Sequence, residues 1–380
     1  MIFLDLRYNL LTGTIPPWIG SSMSGLEVLA LSDNLMVGEI PPSVNNLVSL
    51  RTLALDDNDF GGLLDPVNSL SNLEYLYLDN NKFRGVLGDT TFASLQNLKQ
   101  LDLSGNSLSG DGIPLHFFEH PKLTVMDLHD NDLGGNIPEL IPRNSVLKFL
   151  ALQDNALNGR IPLNINNLVG LTHLDLTGNE LTGQIPDVLG DMVSLTYLFL
   201  SENDFTQGPI PASLIGLANL RELSLGSTNR QGTIPVWLGV LDNLVLVDLS
   251  RNSLAGTIPE ELWDIRDLSY ILLQRNKLTG DVPTGLTGVS SLKMLLLDKN
   301  DLRGDLNEEC ANGLNLEHFV ADCAGSSPEL ACPCCTLCCQ DGEPRCNDDI
   351  LYANVDPKWE NNYTRSTYSF SPKVLFDAST

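Results

Sequence analysis

The feature that most constrains the fold is an asparagine that returns at a nearly constant interval along most of the chain. The intervals are 23 to 25 residues, with one double interval of 49 residues in which Thr228 stands near the midpoint. Counting Thr228, there are thirteen repeats, and such a period predicts stacked units that each bury an apolar side on their neighbours. We call these positions the ladder residues. Besides Thr228 they are Asn9, Asn34, Asn58, Asn81, Asn106, Asn131, Asn155, Asn179, Asn203, Asn252, Asn276 and Asn300.

Each repeat follows the pattern L-x-x-L-x-L-x-x-N-x-L-x-G-x-I-P, which residues 171–186 match at every position. The alternation in Leu-x-Leu predicts a short strand whose two leucines face inward. An asparagine amide offers two donors and an acceptor, so a stack of asparagines can bond the loops of successive repeats. The glycine permits a bend, and the proline fixes φ where no backbone N–H is missed. The pattern therefore predicts parallel strands on one side of every repeat.

Departures from the pattern predict weaker places. Thr228 has only a hydroxyl and Arg230 replaces the leucine that follows, so we expect repeat ten to hold the ladder less well than its neighbours. The repeats after Asn58, Asn81 and Asn300 lack Ile-Pro. We expect a bulge or irregular pairing on the convex side of these three repeats.

The repeats resemble the leucine-rich-repeat family in its plant-specific extracellular subclass, which the Leu-x-Gly-x-Ile-Pro half of each repeat marks. The resemblance covers residues 1–306, the predicted solenoid domain. It implies an α/β solenoid, a curved right-handed superhelix. One long parallel β-sheet of about fourteen strands would form the concave face, and short 3-10 or irregular segments the convex face.

All eight cysteines follow the repeats, which predicts a cysteine-rich C-terminal cap over residues 307–346. Residues 316–323 keep the repeat register and predict a fourteenth strand that helps to cover the bare end of the core. An even, clustered set of cysteines predicts four disulfides whose connectivity stays open. Zinc is the alternative, because five of the cysteines are close enough in sequence to chelate a metal. The cysteines are Cys310, Cys323, Cys332, Cys334, Cys335, Cys338, Cys339 and Cys346.

Residues 319–339 of the cap also resemble the ends of leucine-rich-repeat proteins from diatoms and related microalgae. This resemblance implies a secreted or membrane-anchored protein of receptor-like type. Residues 347–380 form a C-terminal tail whose aromatic side chains either pack onto the solenoid or belong to a partly ordered arm. Asn362 begins the sequon Asn-Tyr-Thr, an N-glycosylation motif that is weak support for secretion.

The net charge of −26, from 22 Lys and Arg against 48 Asp and Glu, argues against two classes of partner. Nucleic-acid binding relies on counterion release by Lys and Arg, and an electrostatic hold on anionic lipid needs a basic surface. The charge fits either simple solubility or a basic partner. No run of 18 apolar residues occurs, so no transmembrane segment is predicted within this chain.

No signal peptide is visible, and Met1 stands at the first leucine position of a repeat. We therefore expect further sequence upstream, where a cap and any membrane anchor of the full-length protein would lie.

The sequence holds no motif for catalysis, for a cofactor or for a metal. A phosphate loop, a nucleophile elbow, the H-E-x-x-H motif and the kinase elements are absent, and the five histidines are scattered. Asp102 and Asp127 stand side by side on neighbouring strands, but two carboxylates are too few for a calcium site. We expect these aspartates to be solvated and the protein to be no enzyme.

Candidate ligand-binding residues stand six and four positions before each ladder residue, where side chains face away from the leucines. Phe149, His173 and Tyr197 occupy the first of these positions in repeats seven to nine. Because adjacent strands lie about 4.8 Å apart, these rings should form a ladder. Asp175 and Phe199 occupy the second position beside them. Exposed aromatic side chains are typical binding anchors; the alternative is cross-strand stacking that only stabilises the sheet.

Two further features belong to the predicted concave face. Tyr75 and Tyr77 on strand four form a second, weaker candidate for ligand contact. One residue before the ladder residue, the charge changes sign along the chain, and such a gradient could orient a bipolar partner. The acidic members are Asp33, Asp57, Asp130, Asp154 and Glu202, and the basic ones are Arg251, Arg275 and Lys299.

These features predict a non-catalytic recognition module outside the cell or at its surface, which binds a protein, peptide or glycan on the concave face. Two other functional classes fit the same sequence. One is a secreted enzyme inhibitor, like the plant leucine-rich-repeat proteins that block pectin-cleaving polygalacturonases. The other is a structural protein of a cell wall or an adhesion protein. The ligand itself does not follow from the sequence.

Overall fold

The computed structural model describes residues 2–325 and 328–340. The chain divides into two compact units, Met1–Gln231 and Gly232–Thr380, here called unit 1 and unit 2. The boundary lies in repeat ten, inside the predicted solenoid and three residues after Thr228.

A parallel sheet with one strand per repeat forms the main sheet of unit 1. Its strands follow chain order, and each pairs in register with the next, as Phe149–Ala151 does with His173–Asp175. The strands are Phe3–Asp5, Val28–Ala30, Thr52–Ala54, Tyr75–Tyr77, Gln100–Asp102, Val125–Asp127, Phe149–Ala151, His173–Asp175, Tyr197–Phe199 and Glu222–Ser224.

The main sheet of unit 2 is parallel in the same way. Its last two strands belong to the cap, so the predicted fourteenth strand is present and a further short strand follows it. The strands are Leu246–Asp248, Tyr270–Leu272, Met294–Leu296, His318–Ala321 and Leu337–Cys338.

The leucine pattern explains which side of each main sheet faces the core. Leu174 and Leu176 are fully buried, whereas His173 and Asp175 point to the opposite side because side chains alternate along a strand. We call that opposite side the front face; it is the predicted concave face. It carries the residues six and four positions before each ladder residue.

A second set of short strands follows the ladder residues. The three repeats without Ile-Pro pair regularly here. These strands end before the Ile-Pro position, so the bulge or irregular pairing expected on the convex side of these repeats stays a prediction. The strands are Thr12–Gly13, Leu35–Glu39, Asp59–Gly62, Lys82–Val86, Ser107–Asp111, Asp132–Gly134, Asn158–Arg160, Glu180–Thr182, Gln231–Thr233, Ser253–Gly256, Lys277–Asp281, Asp301–Asp305 and Leu330–Ala331.

Short helices connect the strands in most of the repeats, as predicted. The proline of Ile-Pro directly precedes many of them, as Pro162 and Pro186 do, in an extended conformation that the helix cannot continue backward. No helix among the described residues has the length and apolar character needed to cross a bilayer. The 3-10 helices are Pro42–Asn46, Asp65–Val67, Leu163–Asn167, Asp187–Asp191, Ala212–Gly216, Val236–Val240, Glu260–Asp264 and Leu286–Gly288; the α-helices are Ile19–Ser22, Leu115–Glu119 and Asn307–Ala311.

The asparagine ladder bonds successive repeats as the sequence predicts. The Nδ2 of Asn179 donates to the carbonyl oxygens of Leu176 at 3.1 Å and, in the preceding repeat, of Leu152 at 3.0 Å. Its Oδ1 accepts the N–H of Leu157 at 3.0 Å. One amide therefore satisfies backbone groups of two repeats that no regular strand or helix could pair.

The residue before each ladder residue has a left-handed backbone. Arg251 has φ 52° and Gly178 has φ 61°, and the other repeats agree. This conformation costs a residue with a Cβ roughly 1 kcal/mol. The repeating turn therefore requires this conformation whatever side chain occupies the position.

Repeat ten replaces the ladder asparagine by a different set of donors. The Thr228 hydroxyl donates to the carbonyl of Leu225 at 2.5 Å. The Arg230 side chain is 2% exposed, and its guanidinium donates to the carbonyl oxygens of Thr206 at 2.6 Å and Pro209 at 3.2 Å. Burial lowers the pKa of this guanidinium. Arg230 thus fills the leucine site while satisfying backbone oxygens; that repeat ten is the weakest repeat stays a prediction.

Candidate ligand-binding face

Aromatic side chains of three neighbouring strands stack on the front face of unit 1. Phe149, His173 and Tyr197 are direct partners in register. The ring centroids of Phe149 and His173 lie 4.2 Å apart with their planes at 17°, and those of His173 and Tyr197 lie 5.5 Å apart. Phe199 meets His173 edge-on at 5.7 Å. We call these four side chains the aromatic row.

Most of the aromatic row is buried, which corrects the expectation that these side chains face solvent. Phe149, His173 and Phe199 are 5%, 2% and 6% exposed, and Tyr197 is half-buried. Strands about 4.8 Å apart bring large side chains into contact, so each ring helps to cover its neighbours. Tyr197 is therefore the member of the row that is most open to a ligand.

Burial also sets the protonation of the row. It lowers the pKa of His173 to about 4, against a smaller opposing effect of the Asp127 carboxylate. The imidazole is therefore neutral at neutral pH. Burial raises the pKa of the Tyr197 phenol, and the charge of Glu222 raises it further. The row presents an uncharged aromatic surface.

Carboxylates lie beside the aromatic row, four positions before their ladder residues. Asp102, Asp127 and Asp175 are buried, so the expectation that Asp102 and Asp127 are solvated is wrong. Local donors explain the burial: Asp102 accepts the Ser104 hydroxyl at 2.7 Å, and Asp175 accepts the N–H of Thr177 at 3.0 Å. These hydrogen bonds replace part of the water that an exposed carboxylate would bind.

An ion pair joins His129 to Asp127, with 2.6 Å between Nδ1 and Oδ1. Burial disfavours the imidazolium, but the Asp127 carboxylate outweighs it and raises the pKa of His129 to about 9. Burial also raises the pKa of Asp154; His129 opposes this shift, while the like charges of Asp130 and Glu202 add to it. The front face of unit 1 therefore holds crowded negative charge.

The second candidate for ligand contact, Tyr75 and Tyr77 on strand four, contains one residue with a structural role. Tyr77 is fully buried, and its hydroxyl donates to Oε1 of Gln100 at 2.5 Å. Tyr75 is half-buried, and the Lys99 ammonium lies 5.6 Å from its ring centroid. Lys99 also pairs with Glu74 at 2.5 Å. Tyr77 is thus fixed within the sheet, and only Tyr75 keeps a surface for contact.

Two polar residues of the front face were missed by the sequence reasoning. Glu222 continues the position of Phe149, His173 and Tyr197 into repeat ten, and Gln153 stands two positions before its ladder residue in repeat seven. Both are buried. Extending the aromatic position by one repeat would have revealed Glu222, whereas nothing in the sequence marks Gln153.

The cap contains disulfides, and the structure supplies pairings that the sequence left open. Cys339 is also disulfide-bonded, whereas Cys346 and the sequon residue Asn362 lie outside the described residues. The described pairs are Cys310–Cys334, Cys323–Cys338 and Cys332–Cys335.

Two kinds of side-chain cluster have the spacing of metal ligands. The sulfurs of Cys310, Cys332 and Cys334 lie within 4.8 Å of one another. They are bound in disulfides and are not the thiolates that zinc needs. Asp33, Asp56 and Asp57 each bring one carboxylate oxygen within the same distance of the other two. Such acidic groups are common without an ion, and we assign no metal to them.

Comparison with known proteins agrees with this architecture. A family model described as leucine rich repeat matches residues 71–133 and 145–205, and a second of the same description matches residues 1–22 and 243–265. Receptor-like protein 39 of Arabidopsis thaliana is 29% identical over 139 residues, which are 36% of this chain and 16% of that protein.

Solved structures give the same result over more of the chain. A TDR receptor superposes with a TM-score of 0.77 at 30% identity, over 83% of this chain and 55% of that chain. The ectodomain of the Arabidopsis receptor kinase HAESA, in complex with an IDA peptide hormone ligand, gives 0.59 at 28% identity, over 84% and 66%. With its repeating asparagine ladder and parallel main sheets, the chain belongs to the leucine-rich-repeat family and carries repeats of the plant type.

Proposed function

We propose that unit 1 is a non-catalytic recognition module that binds a peptide on the front face of repeats six to ten. The module would belong to a receptor-like protein that acts outside the cell or at its surface. The observation that carries the proposal is Tyr197, the half-buried member of the aromatic row, because an accessible aromatic side chain supplies a large contact area at low entropic cost.

The chemistry around the row favours a peptide over hydrocarbon. The half-buried Tyr197 lies next to buried carboxylates and to a neutral imidazole, which gives a ligand both an apolar surface and hydrogen-bond acceptors. An extended peptide presents both kinds of partner along its length. A glycan could also stack on Tyr197 and is an outcome of the test below.

Two further observations support the proposal. The HAESA ectodomain, a structural relative, is described in complex with a peptide hormone. The disulfides of the cap are typical of an oxidising, extracellular compartment. Receptor-like protein 39 supports the receptor-like assignment, although this chain spans 16% of its length.

A binding screen with the full chain tests the proposal. The immobilised protein is exposed to a library of random dodecapeptides, a glycan array and a panel of secreted polysaccharide-cleaving enzymes. We expect peptides to be selected and Tyr197→Ala to weaken their binding by about 2 kcal/mol, roughly thirtyfold. Tyr270→Ala is the matched control, since Tyr270 is also half-buried and six positions before its ladder residue, but in unit 2.

The outcomes separate the functional classes. Selection of glycans alone, or inhibition of an enzyme without peptide binding, would contradict peptide recognition. Peptide binding that is weakened equally by Tyr197→Ala and Tyr270→Ala would move the site away from the aromatic row. Thermal unfolding of both variants checks that the loss concerns binding and not folding.

A further inference from the structure

Glu222 extends the aromatic row by one strand. Strand Glu222–Ser224 pairs in register with Tyr197–Phe199, so Glu222 lies directly beside Tyr197 and Ser224 beside Phe199. The raised pKa of Tyr197, to which the Glu222 charge contributes, reflects this proximity. A carboxyl group therefore adjoins the most accessible ring of the row.

One oxygen of the buried Glu222 carboxylate lacks the hydrogen-bond partner that a buried acceptor normally has. The Glu222 side chain is 9% exposed, and its Oε2 has no hydrogen-bond partner among the described residues. Burial raises the pKa of Glu222 to about 7, against an opposing effect of Arg221. Leaving a buried acceptor unsatisfied costs free energy that a donor from a ligand would recover.

A second buried acceptor on the same face also lacks a hydrogen-bond donor. The Oε1 of Gln153 has no hydrogen-bond partner among the described residues, and the side chain is 4% exposed. Both unsatisfied atoms are acceptors. A ligand that completes this face must therefore bring hydrogen-bond donors.

The charge of the surrounding face defines the ligand further. We consider the positions six, four, two and one before the ladder residue in repeats five to nine. These positions hold no Lys or Arg, and their one cation is the paired imidazolium of His129. Their carboxylates are Asp102, Asp127, Asp130, Asp154, Asp175 and Glu202. A cation is thus attracted to this face, whereas an anionic group would be repelled.

We propose that Glu222 and Tyr197 form a subsite for a cationic side chain, arginine or lysine, of the bound peptide. The cation would lie against the Tyr197 ring and donate hydrogen bonds to the Glu222 carboxylate. A carboxylate beside an aromatic face is the arrangement that holds a guanidinium or an ammonium group, through a charge-assisted hydrogen bond and a cation–π contact. This inference rests on the proposed function, because it names the chemistry of a ligand for the same face.

A positional-scanning peptide library tests the subsite with the full chain. Each library fixes one position as Arg, Lys, Gln, Glu or Ala while the others vary, and retention on the immobilised protein is measured. We expect Arg or Lys to be preferred over Gln by about tenfold at one position, and Glu to be rejected there. The separate Arg and Lys libraries show which cation the subsite takes.

Variants locate the preference. Glu222→Gln keeps the shape of the side chain and removes its charge, so the Arg and Lys preference should fall to about twofold or less while other positions keep theirs. Glu261→Gln, outside the front face, is the matched control and should leave the preference unchanged. Thermal unfolding confirms that each variant is folded.

The results distinguish this inference from the proposed function. Peptides retained without any Arg or Lys preference, or a preference that survives Glu222→Gln, would overturn the cationic subsite and leave peptide recognition standing. A library from which no peptide is retained would contradict the proposed function itself.

Discussion

The front faces of the two units share a backbone but differ in the side chains that part of each face carries. In repeats five to nine the positions that point away from the core carry stacked rings and carboxylates, with no Lys or Arg among them. In repeats twelve and thirteen of unit 2 and in the cap, the positions equivalent to those six and four before the ladder residue carry an apolar cluster of Leu272, Met294, Leu296 and Val320, packed with Tyr270. The ladder and the leucines fix the fold in both units, so the front face is free to differ.

This difference indicates which face contributes to the stability of the fold and which face contributes to ligand binding. A face that buries aliphatic side chains against one another contributes to folding through the hydrophobic effect. A face that leaves buried acceptors such as Oε2 of Glu222 without donors is less stable than it could be. A lower stability of this kind is typical of a site whose hydrogen bonds are completed by a bound partner.

Exchanging an apolar and an acidic side chain at matched positions should give the largest change in the free energy of unfolding. Leu296 and Asp175 both stand four positions before a ladder residue. Leu296→Asp places a charge inside the apolar cluster and should lower the free energy of unfolding by about 3 kcal/mol or more. Asp175→Leu lies between Ala151 and Phe199 and should cost no more than about 1 kcal/mol. Urea denaturation measures the change in the free energy of unfolding for each variant. Hydrogen exchange then assigns that change to one of the two units.

One outcome of these two substitutions would contradict the assigned roles of the two faces. If Asp175→Leu destabilises unit 1 as much as Leu296→Asp destabilises unit 2, the polar face is as structural as the apolar one. The separation between a binding face and a folding face would then be wrong.

The ion pair of His129 and Asp127 should give unit 1 a pH dependence of intermediate size. The folded-state pKa of His129 is raised from 6.5 to about 9. Its stabilising contribution is therefore fully present below about pH 6.5 and is lost as the pH rises through 9. Unit 1 should lose stability over this range.

The variant His129→Gln isolates this contribution. Glu222 and Asp322, whose pKa values burial raises to about 7 and about 6, titrate alike in the variant and in the parent chain. Thermal unfolding between pH 6.5 and 9.5 should therefore show a smaller loss for His129→Gln. Equal pH profiles would mean that the ion pair contributes nothing to unit 1.

The left-handed position should give the smallest effect and tests the backbone that both units share. Gly178 has φ 61°, and a Cβ there would lie 2.5 Å from Oδ1 of Asp154. Because that atom ends a movable side chain, Gly178→Ala should cost only about 1 kcal/mol. Arg251→Gly, at φ 52° in unit 2, should change stability by less. Chemical denaturation of both variants measures the difference, and a large loss at Arg251 would show that its side chain supports unit 2.

The period and the residue types of each repeat were enough to predict the repeating architecture. The Leu-x-Leu alternation located the main strands, and the asparagine amide predicted the bonds between repeats that Asn179 makes. These features are local and repeated thirteen times, so errors in single repeats do not matter. The register also placed Phe149, His173 and Tyr197 in one row.

What the sequence did not predict depends on packing between strands. The burial of His173 follows from rings on neighbouring strands, and the burial of Asp102 follows from the Ser104 hydroxyl. The alternation along a strand predicts the side of the sheet to which a side chain points, but not which neighbouring side chains bury it. The disulfide pairing depends on distances within an irregular cap, which no period encodes. Glu222 was overlooked because its chemistry differs from the rings that it continues.

Arg230 has a consequence for how such chains diverge. Its guanidinium supplies donors to Thr206 and Pro209 in the one repeat where the ladder residue is Thr228. Returning Arg230 to leucine on its own would remove the donors to these oxygens, while Thr228 would still offer only its hydroxyl to the Leu225 carbonyl. The Nε of Arg230 also donates to the carbonyl oxygen of Thr228 at 2.9 Å, so the two positions are in direct contact and we expect them to change together among descendants of a common ancestor. A repeat can then lose its recognisable motif and remain a repeat, so lineages drift in sequence faster than in architecture.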